Sequence, residues 1–346
     1  MDKEIIRVGI VGAGNNTRLR HIPGLKAIEG VHLISVCNRS RESSQRVADE
    51  FDIPKVYDNW LDLVQADDID AICIGTWPYL HCPITLAALD ANKHVLCEAR
   101  MALNAQEAHD MLESARRKPH LVAQLVPAPL TFKVDNTIQD LVSNGYLGDL
   151  LAVEMSMSQG GFVDYESPLT WRQDQELSGY NVLFMGIWYE SLMRWVGPAA
   201  KVMAMNKVCV KQRYDATGNL RAVTVPDHVD ILCELACGAQ VHLRFTTVTG
   251  MAPDDQVWLF GDQGTLRLDA ASMTLYGAQR GDGDLSQISI PPEKQGEWRV
   301  EEEFINAIRG KEKVALSPFE VGVNYMEFTE AVARSAQKGK AISLPL

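Results

Sequence analysis

No apolar run in this chain approaches the roughly 18–20 residues that a membrane-spanning helix needs. Cysteine offers no framework either. The seven cysteines are scattered singly, and the nearest two, Cys233 and Cys237, have no matching pair elsewhere. An odd count without metal-ligand spacing points away from disulfides and metal sites, and toward reduced thiols acting as small buried apolar residues. Positive charge is short as well: 33 Lys and Arg face 45 Asp and Glu, a formal net charge of -12. That argues against a nucleic-acid-binding face and against adsorption to anionic lipid. Met1-Asp2-Lys3-Glu4 leads straight into a short strand, without the basic start and longer apolar stretch of a secretory signal. A cytoplasmic protein is expected. Internal repeats and low-complexity tracts are missing too, and 346 residues at 46% hydrophobic leave room for two domains with ordinary cores.

What is present begins with alternation. Short apolar runs at 7–11, 32–36, 56–57, 71–75, 94–97 and 121–126 are separated by amphipathic stretches that read as helices, among them 41–51, 59–64, 83–91 and 105–117. Strands and helices at this spacing imply βαβ units around a parallel sheet buried on both faces. The texture changes after Pro127-Ala-Pro129. A helix over 132–144 leads to longer segments of period-two character at 150–157, 201–211, 229–236, 240–247, 256–260 and 264–268, and helices at 297–309 and 318–338 close the chain. Strands following strands predict a mostly antiparallel sheet and an α+β second domain. The expected division is 1–126 for the α/β domain with its parallel sheet and 127–346 for the α+β domain.

The first strand runs into Gly12-Ala13-Gly14-Asn15-Asn16-Thr17, a variant of G-x-G-x-x-G with threonine at the third glycine position. Gly12 permits the tight turn and Gly14 a close backbone approach to pyrophosphate, which then meets the N–H groups opening the next helix. Asn15 and Asn16 belong to that loop, and His21 reads as a packing or phosphate-proximal residue. An acidic residue after the second strand would favour NAD by accepting from the ribose hydroxyl. Asn38-Arg39-Ser40 stands there instead. A guanidinium and a hydroxyl suit a 2′-phosphate, so the expectation is NADP in preference to NAD.

Four segments in order resemble the Gfo/Idh/MocA oxidoreductases: Val8-Gly-Ile-Val-Gly-Ala-Gly14, Thr76-Trp-Pro-Tyr-Leu-His81, Lys93-His-Val-Leu-Cys-Glu98 and Asn144-Gly-Tyr-Leu-Gly148. Trp171-Arg172-Gln-Asp174, Phe260-Gly-Asp-Gln-Gly-Thr-Leu266 and Gly339-Lys-Ala-Ile-Ser-Leu-Pro345 are also similar to that family. The resemblance implies a Rossmann domain followed by a domain with a large open sheet, a nicotinamide cofactor, and hydride exchange with a sugar, cyclitol or related polyol. It also implies a homodimer or homotetramer built through the open sheet.

The same comparison exposes departures. Family members carry Glu-Lys-Pro where this chain has Glu98-Ala99-Arg100. Ala99 cannot take the lysine's proton-handling role, and a guanidinium at Arg100 is a poor acid or base near neutrality. The family's Asp and His on the second-domain helix are replaced by Phe184 and Trp188, and an Asp one turn further by Ser191. Replacement catalytic groups are sought in Glu98, Tyr189 and Glu190, the last two sharing a helix face with Gly186 by i, i+3 and i+4 spacing. Thr76, Pro78, His81 and Glu98 follow parallel strands and are assigned to the cofactor with the loop residues. Arg100, Arg172, Asp174 and Trp188 are assigned to substrate, and Trp77, Trp171 and Trp188 are read as either an aromatic wall or core packing. Two further readings stay open: nicotinamide-assisted non-redox cleavage or elimination, which needs Tyr189 or Glu190 as base, and a nucleotide-binding sensor without turnover.

Overall fold

The computed structural model describes residues 5–159 and 161–346, so the reading of Met1-Asp2-Lys3-Glu4 lies outside the described residues. Two compact units emerge: Met1–Pro127 with Arg299–Val323, and Ala128–Trp298 with Asn324–Leu346.

The first unit is built on six parallel strands: β1 (Ile6–Val11), β2 (Val31–Cys37), β3 (Lys55–Val56), β4 (Ala71–Ile74), β5 (His94–Cys97) and β6 (Ala123–Leu125). Their order, β3-β2-β1-β4-β5-β6, is the doubly wound one, with the direction of winding reversing between β1 and β4. Every residue of β4 is buried, as are Ile6, Val8 and Ile10 of β1. Burial on both faces is why these strands read as continuous apolar runs. The intervening helices are α1 (Ile22–Lys26), α2 (Arg41–Phe51), α3 (Trp60–Gln65), α4 (His81–Asp90) and α5 (Ala105–Arg117). Ser40, Asn59 and Asn104 start α2, α3 and α5 by accepting an N–H from two or three residues on, which satisfies a donor the helix cannot.

The second unit contains α6 (Phe132–Ser143), β7 (Leu150–Ser158), α7 (Gln175–Ser178), α8 (Met185–Val196), β8 (Ala199–Lys207) and the small hairpin β9 (Gln212–Tyr214) and β10 (Leu220–Ala222). Then come β11 (His228–Leu235), β12 (Gln240–Thr246), β13 (Gln256–Gly261), β14 (Gly264–Asp269), β15 (Thr274–Gln279) and β16 (Ser286–Ile288). After α9 (Val300–Ile308) and α10 (Phe319–Lys338), the short β17 (Ile342–Ser343) completes a nine-stranded sheet ordered β16-β15-β14-β13-β7-β12-β11-β8-β17. All neighbours are antiparallel except β7 and β12. One face packs inward: Val229, Ile231 and Cys233 are buried, and the Ala204 N–H donates to Ser335 Oγ of α10 at 2.9 Å. On the opposite face Met205 is 76% and Leu232 60% exposed.

Two differences from the sequence reading matter. The segment read as one strand over 201–211 ends at Lys207, and the chain re-enters as the β9–β10 hairpin. The stretch 299–323, expected in the second domain, belongs to the first unit. Its anchor is chemical: Gln124 Nε2 of β6 donates to Glu303 Oε2 at 2.9 Å, and His21 meets Glu301. Contacts across that much chain leave no local periodicity to read.

Tyr189 and Glu190, expected as replacement catalytic groups, are both 1% exposed in the interior of the second unit. The Tyr189 hydroxyl accepts from Ala199 N at 2.9 Å, and its ring stacks on Phe328 at 3.5 Å. Burial pushes its phenol well above the usual range. Glu190 Oε1 accepts from Ala128 N at 2.8 Å and from Arg194 Nη2 at 2.7 Å. Arg194 also reaches Asp135 Oδ2 at 2.8 Å and the Ala128 carbonyl at 2.8 Å. Glu190, through Arg194, ties α8 to Asp135 of α6, and Tyr189 ties α8 to β8 and α10, so the catalytic expectation for both gives way to a structural one. Arg194→Met would strand two buried carboxylates without a counter-charge. It is expected to destabilise the protein by about 3–5 kcal/mol in urea unfolding; a loss below about 1 kcal/mol, typical of an exposed pair, would contradict this account of the cluster.

Candidate dinucleotide-binding site

At the end of β1 the chain turns at Gly12, with φ +85°, where an added Cβ would lie 2.6 Å from the Thr76 nitrogen. An L-residue fits neither the backbone nor the space. A Cβ on Gly14 would meet only the Gly75 carbonyl, at 3.4 Å, so the loop is bare on its open side. The room normally made by a third glycine is made from the other side: a Cβ on Gly75 would fall 2.0 Å from Thr17 Oγ1. Thr17 turns its hydroxyl back to the Gly12 carbonyl at 3.2 Å. The N–H groups that open this helix have no carbonyl one turn earlier, as at any helix start, and are donors for an anion.

That helix begins at 15–16 and passes through a π-helical turn, Thr17–His21, into α1. Residues five apart stand about 140° round a regular helix, but a π turn closes i to i+5 and brings them to one side. Asn16 and His21 are the beneficiaries. Their side chains converge on Glu98, which follows β5: Asn16 Nδ2 donates to Glu98 Oε1, and His21 Nε2 lies 2.9 Å from the same oxygen. Glu98 Oε2 accepts from Ala99 N at 3.0 Å. The other ring nitrogen of His21 lies 2.5 Å from Glu301 Oε1 of α9. His21 is fully buried, and the Glu98 and Glu301 side chains are 14% and 5% exposed. Burial by itself disfavours the imidazolium, but the hydrogen bonds to Glu301 and Glu98 and their charges outweigh it, raising the pKa to about 9. For Glu98, burial opposes ionisation, and His21, Asn16 and the Ala99 N–H overcome it, holding the carboxyl at about 2.

At the end of β2, Asn38 brackets the site: Oδ1 accepts from Ala13 N at 2.6 Å and Nδ2 donates to the Ser43 carbonyl at 3.1 Å. Ser40 caps α2 through Ser43 N. Arg41 is committed to Asp58 at 2.8 Å and Arg46 to Glu42 at 2.6 Å. Arg39 is exposed, lies 5.8 Å over the Trp77 ring and makes no ion pair among the described residues. Gly12, Gly14, Asn38, Arg39, Ser40 and Thr76 line one groove of about 650 Å³, joined by Trp77, Tyr79 and Arg46. Asn15, Asn16, Pro78, His81 and Glu98 lie outside its lining. Thr76 Oγ1, at the groove, is a buried hydroxyl without a partner, which fits a ligand that brings one.

Pro78 opens a short 3-10 turn leading to α4. His81 has Nδ1 2.9 Å from the Arg100 carbonyl and Nε2 2.9 Å from the Thr76 carbonyl. It is fully buried, and burial pulls its pKa down. A neutral ring donates to one of these carbonyls, so His81 braces the loops after β4 and β5. The Arg100 side chain is buried. In the second unit, the exposed Arg172 has its guanidinium 4.3 Å over the Trp171 ring. Asp174 caps α7 by accepting from Glu176 N at 3.0 Å and lies 3.7 Å from Arg221. Trp188 is buried in α8, and Phe184 meets Phe245 edge-on at 5.8 Å. Sequence reasoning missed Gly75 and the partnership of His21 with Glu301; the π turn behind it has no composition signal.

A doubly wound sheet, a glycine turn after β1 packed against the end of β4, and a bare helix start define a Rossmann-type dinucleotide-binding domain. Residues 6–124 match the oxidoreductase family with an NAD-binding Rossmann fold, and 136–267 match the GFO/IDH/MocA C-terminal domain. The chain belongs to the GFO/IDH/MocA family. It is 27% identical over 276 residues to glucose-fructose oxidoreductase domain-containing protein 2 of Xenopus laevis, covering 78% of this chain and 69% of that protein. With the trans-1,2-dihydrobenzene-1,2-diol dehydrogenase of Bos taurus it shares 24% over 264 residues, 76% of this chain and 72% of that one. In fold it is similar to levoglucosan dehydrogenase in complex with NADH and L-sorbose, with a TM-score of 0.84, 20% identity and 99% of each chain covered. Among the described residues no helix is long and apolar enough to cross a membrane.

The His21 cluster sets a pH dependence. A pKa raised from 6.5 to about 9 means that its stabilisation is complete below pH 6.5 and is lost as pH rises through about 9, on the order of 3 kcal/mol in all. The depressed Glu98 acts oppositely: its contribution is present above pH 4.5 and is lost as pH falls toward about 2. The melting temperature of the wild type should therefore fall between pH 6.5 and 9 more steeply than that of His21→Gln. Parallel curves would mean that His21 does not carry the proton.

Proposed function

We propose that this protein is an NADP-preferring oxidoreductase acting on a sugar, cyclitol or related hydroxyl or carbonyl substrate. The observation that carries the cofactor choice is Arg39: an exposed guanidinium at the end of β2, on the groove, without a carboxylate partner among the described residues. Ser40 and Arg46 stand beside it, and no acidic residue occupies 38–40 to accept from a ribose hydroxyl. Gly12 and Gly14 would admit the pyrophosphate to the helix start, and Thr76 Oγ1 would find its partner there. When bound, the nicotinamide supplies hydride transfer. The chain's own part is to bind and orient. Glu98, held ionised by His21 and Asn16, is fixed as an acceptor after β5. Ala99 offers no proton chemistry beside it. Arg172 over Trp171, together with Asp174, supplies contacts to a polyol in the second unit. A second copy of the chain is the proposed partner of the open sheet face around Met203, Met205 and Leu232, giving a homodimer or homotetramer.

The reading of non-redox cleavage loses its base, because Tyr189 and Glu190 serve packing. The sensor reading is favoured by Ala99, Phe184 and Trp188 standing where the family has titratable groups. A panel of polyols, sugars and keto acids with NADP and NADPH separates the two. A stoichiometric nicotinamide absorbance change supports turnover; binding without it supports the sensor.

Arg39→Ala is expected to raise the Kd for NADP about 10- to 100-fold and that for NAD by less than about threefold. Equal losses, read by tryptophan fluorescence, would sink the 2′-phosphate assignment. Ala99→Lys is expected to raise kcat by about 10²-fold, the low end of general acid–base help. No gain, with cofactor affinity unchanged, would show that the missing lysine is not what limits the reaction.

A further inference from the structure

The ionic cluster behind Glu98 is larger than holding one carboxylate in place requires. Asn16 and the Ala99 N–H already give Glu98 two donors. The cluster adds a fully buried imidazole and a second, almost fully buried carboxylate brought in from α9. Two carboxylates share one imidazolium, so the formal charge of the group is minus one. Its least buried member is Glu98, and the next residue, Ala99, contributes no cation.

Position gives that charge a use. In a doubly wound sheet each half takes one mononucleotide. Arg39 and Ser40 follow β2, in the β3-β2-β1 half, whereas Glu98 follows β5, in the β4-β5-β6 half. With the 2′-phosphate at Arg39, the nicotinamide end falls to the half that carries Glu98. The oxidised nicotinamide ring is a cation and the reduced ring is neutral. A fixed negative charge with buried partners, poorly screened by water, therefore distinguishes the two forms electrostatically.

We infer that the Asn16–His21–Glu98–Glu301 cluster sets a redox-state preference, binding the oxidised cofactor more tightly than a neutral cluster would and leaving the reduced form almost unaffected. This rests on the cofactor reading above. His21 and Glu301 act through Glu98 and are positioning residues; neither needs to touch the ring.

The test is a split in affinities. Glu301→Gln keeps an oxygen for the His21 N–H and removes one negative charge. At a pH where histidine NMR shows His21 of the variant to be protonated, NADP should bind about five- to tenfold more weakly to this variant. Its NADPH affinity should change by less than about twofold, both measured by calorimetry. Equal weakening of both forms, or none, overturns the inference. If the variant does not fold, histidine NMR on the wild type decides. By linkage, the His21 pKa should be about half to one unit lower in the NADP complex than in the NADPH complex, and identical titrations overturn the inference. If the wild type binds neither NADP nor NAD in either redox state, the cofactor reading itself falls and takes this inference with it. Tight binding without the split sinks the inference alone.

Discussion

A buried imidazolium between two carboxylates holds together three parts of the first unit that chain order keeps far apart. His21 comes from the helix after the phosphate loop, Glu98 from the end of β5, and Glu301 from a segment that returns after most of the second unit has been traversed. Burying any one of these charges alone would cost several kcal/mol, and only together do they satisfy one another. The first helix and the end of β5 are held to each other and to α9 by that arrangement. It holds the first helix at its π turn, which brings Asn16 alongside His21. The same contact makes α9 part of the dinucleotide-binding unit.

Charge along the edge of the sheet is divided accordingly. The β2 end carries an uncommitted guanidinium, and the β5 end a carboxylate backed by a second carboxylate. A dinucleotide with a phosphorylated ribose at one end and a cationic ring at the other has the complementary distribution. The titratable residues of α8, by contrast, are spent on cohesion. Arg194 joins Glu190 and Asp135, and Tyr189 stacks on α10, so this helix contributes rigidity in place of proton transfer.

Much of the first unit could be read from sequence because its strands are buried on both faces and its helices are capped by their own side chains. The spans Arg41–Phe51, His94–Cys97 and Ala105–Arg117 come out of periodicity residue for residue. In the second unit, β16 and β17 escaped notice because the edge strands of an open sheet are short and half solvated, and β15 because only Leu275 and Gly277 of its six residues are buried, which leaves little apolar alternation to read. The site divides along the same line. Gly12, Asn38, Arg39 and Thr76 are adjacent to strand ends, so position in the chain reveals them. The His21–Glu301 contact spans most of the chain and has no pattern. Tyr189 and Glu190 show the opposite error. Helical spacing identified a shared face, but not that this face points into the core.

The exchange at Thr17 and Gly75 has a consequence for how such loops vary. Close approach between the first helix and the end of β4 requires one residue without a side chain, and it does not matter which partner provides it. Here the strand end does, and the helix keeps a hydroxyl that closes back onto the loop. The two positions therefore form a single steric unit. A search that demands three glycines in one segment looks at half of that unit. The other half lies some sixty residues away, and among relatives the two sites should change in concert.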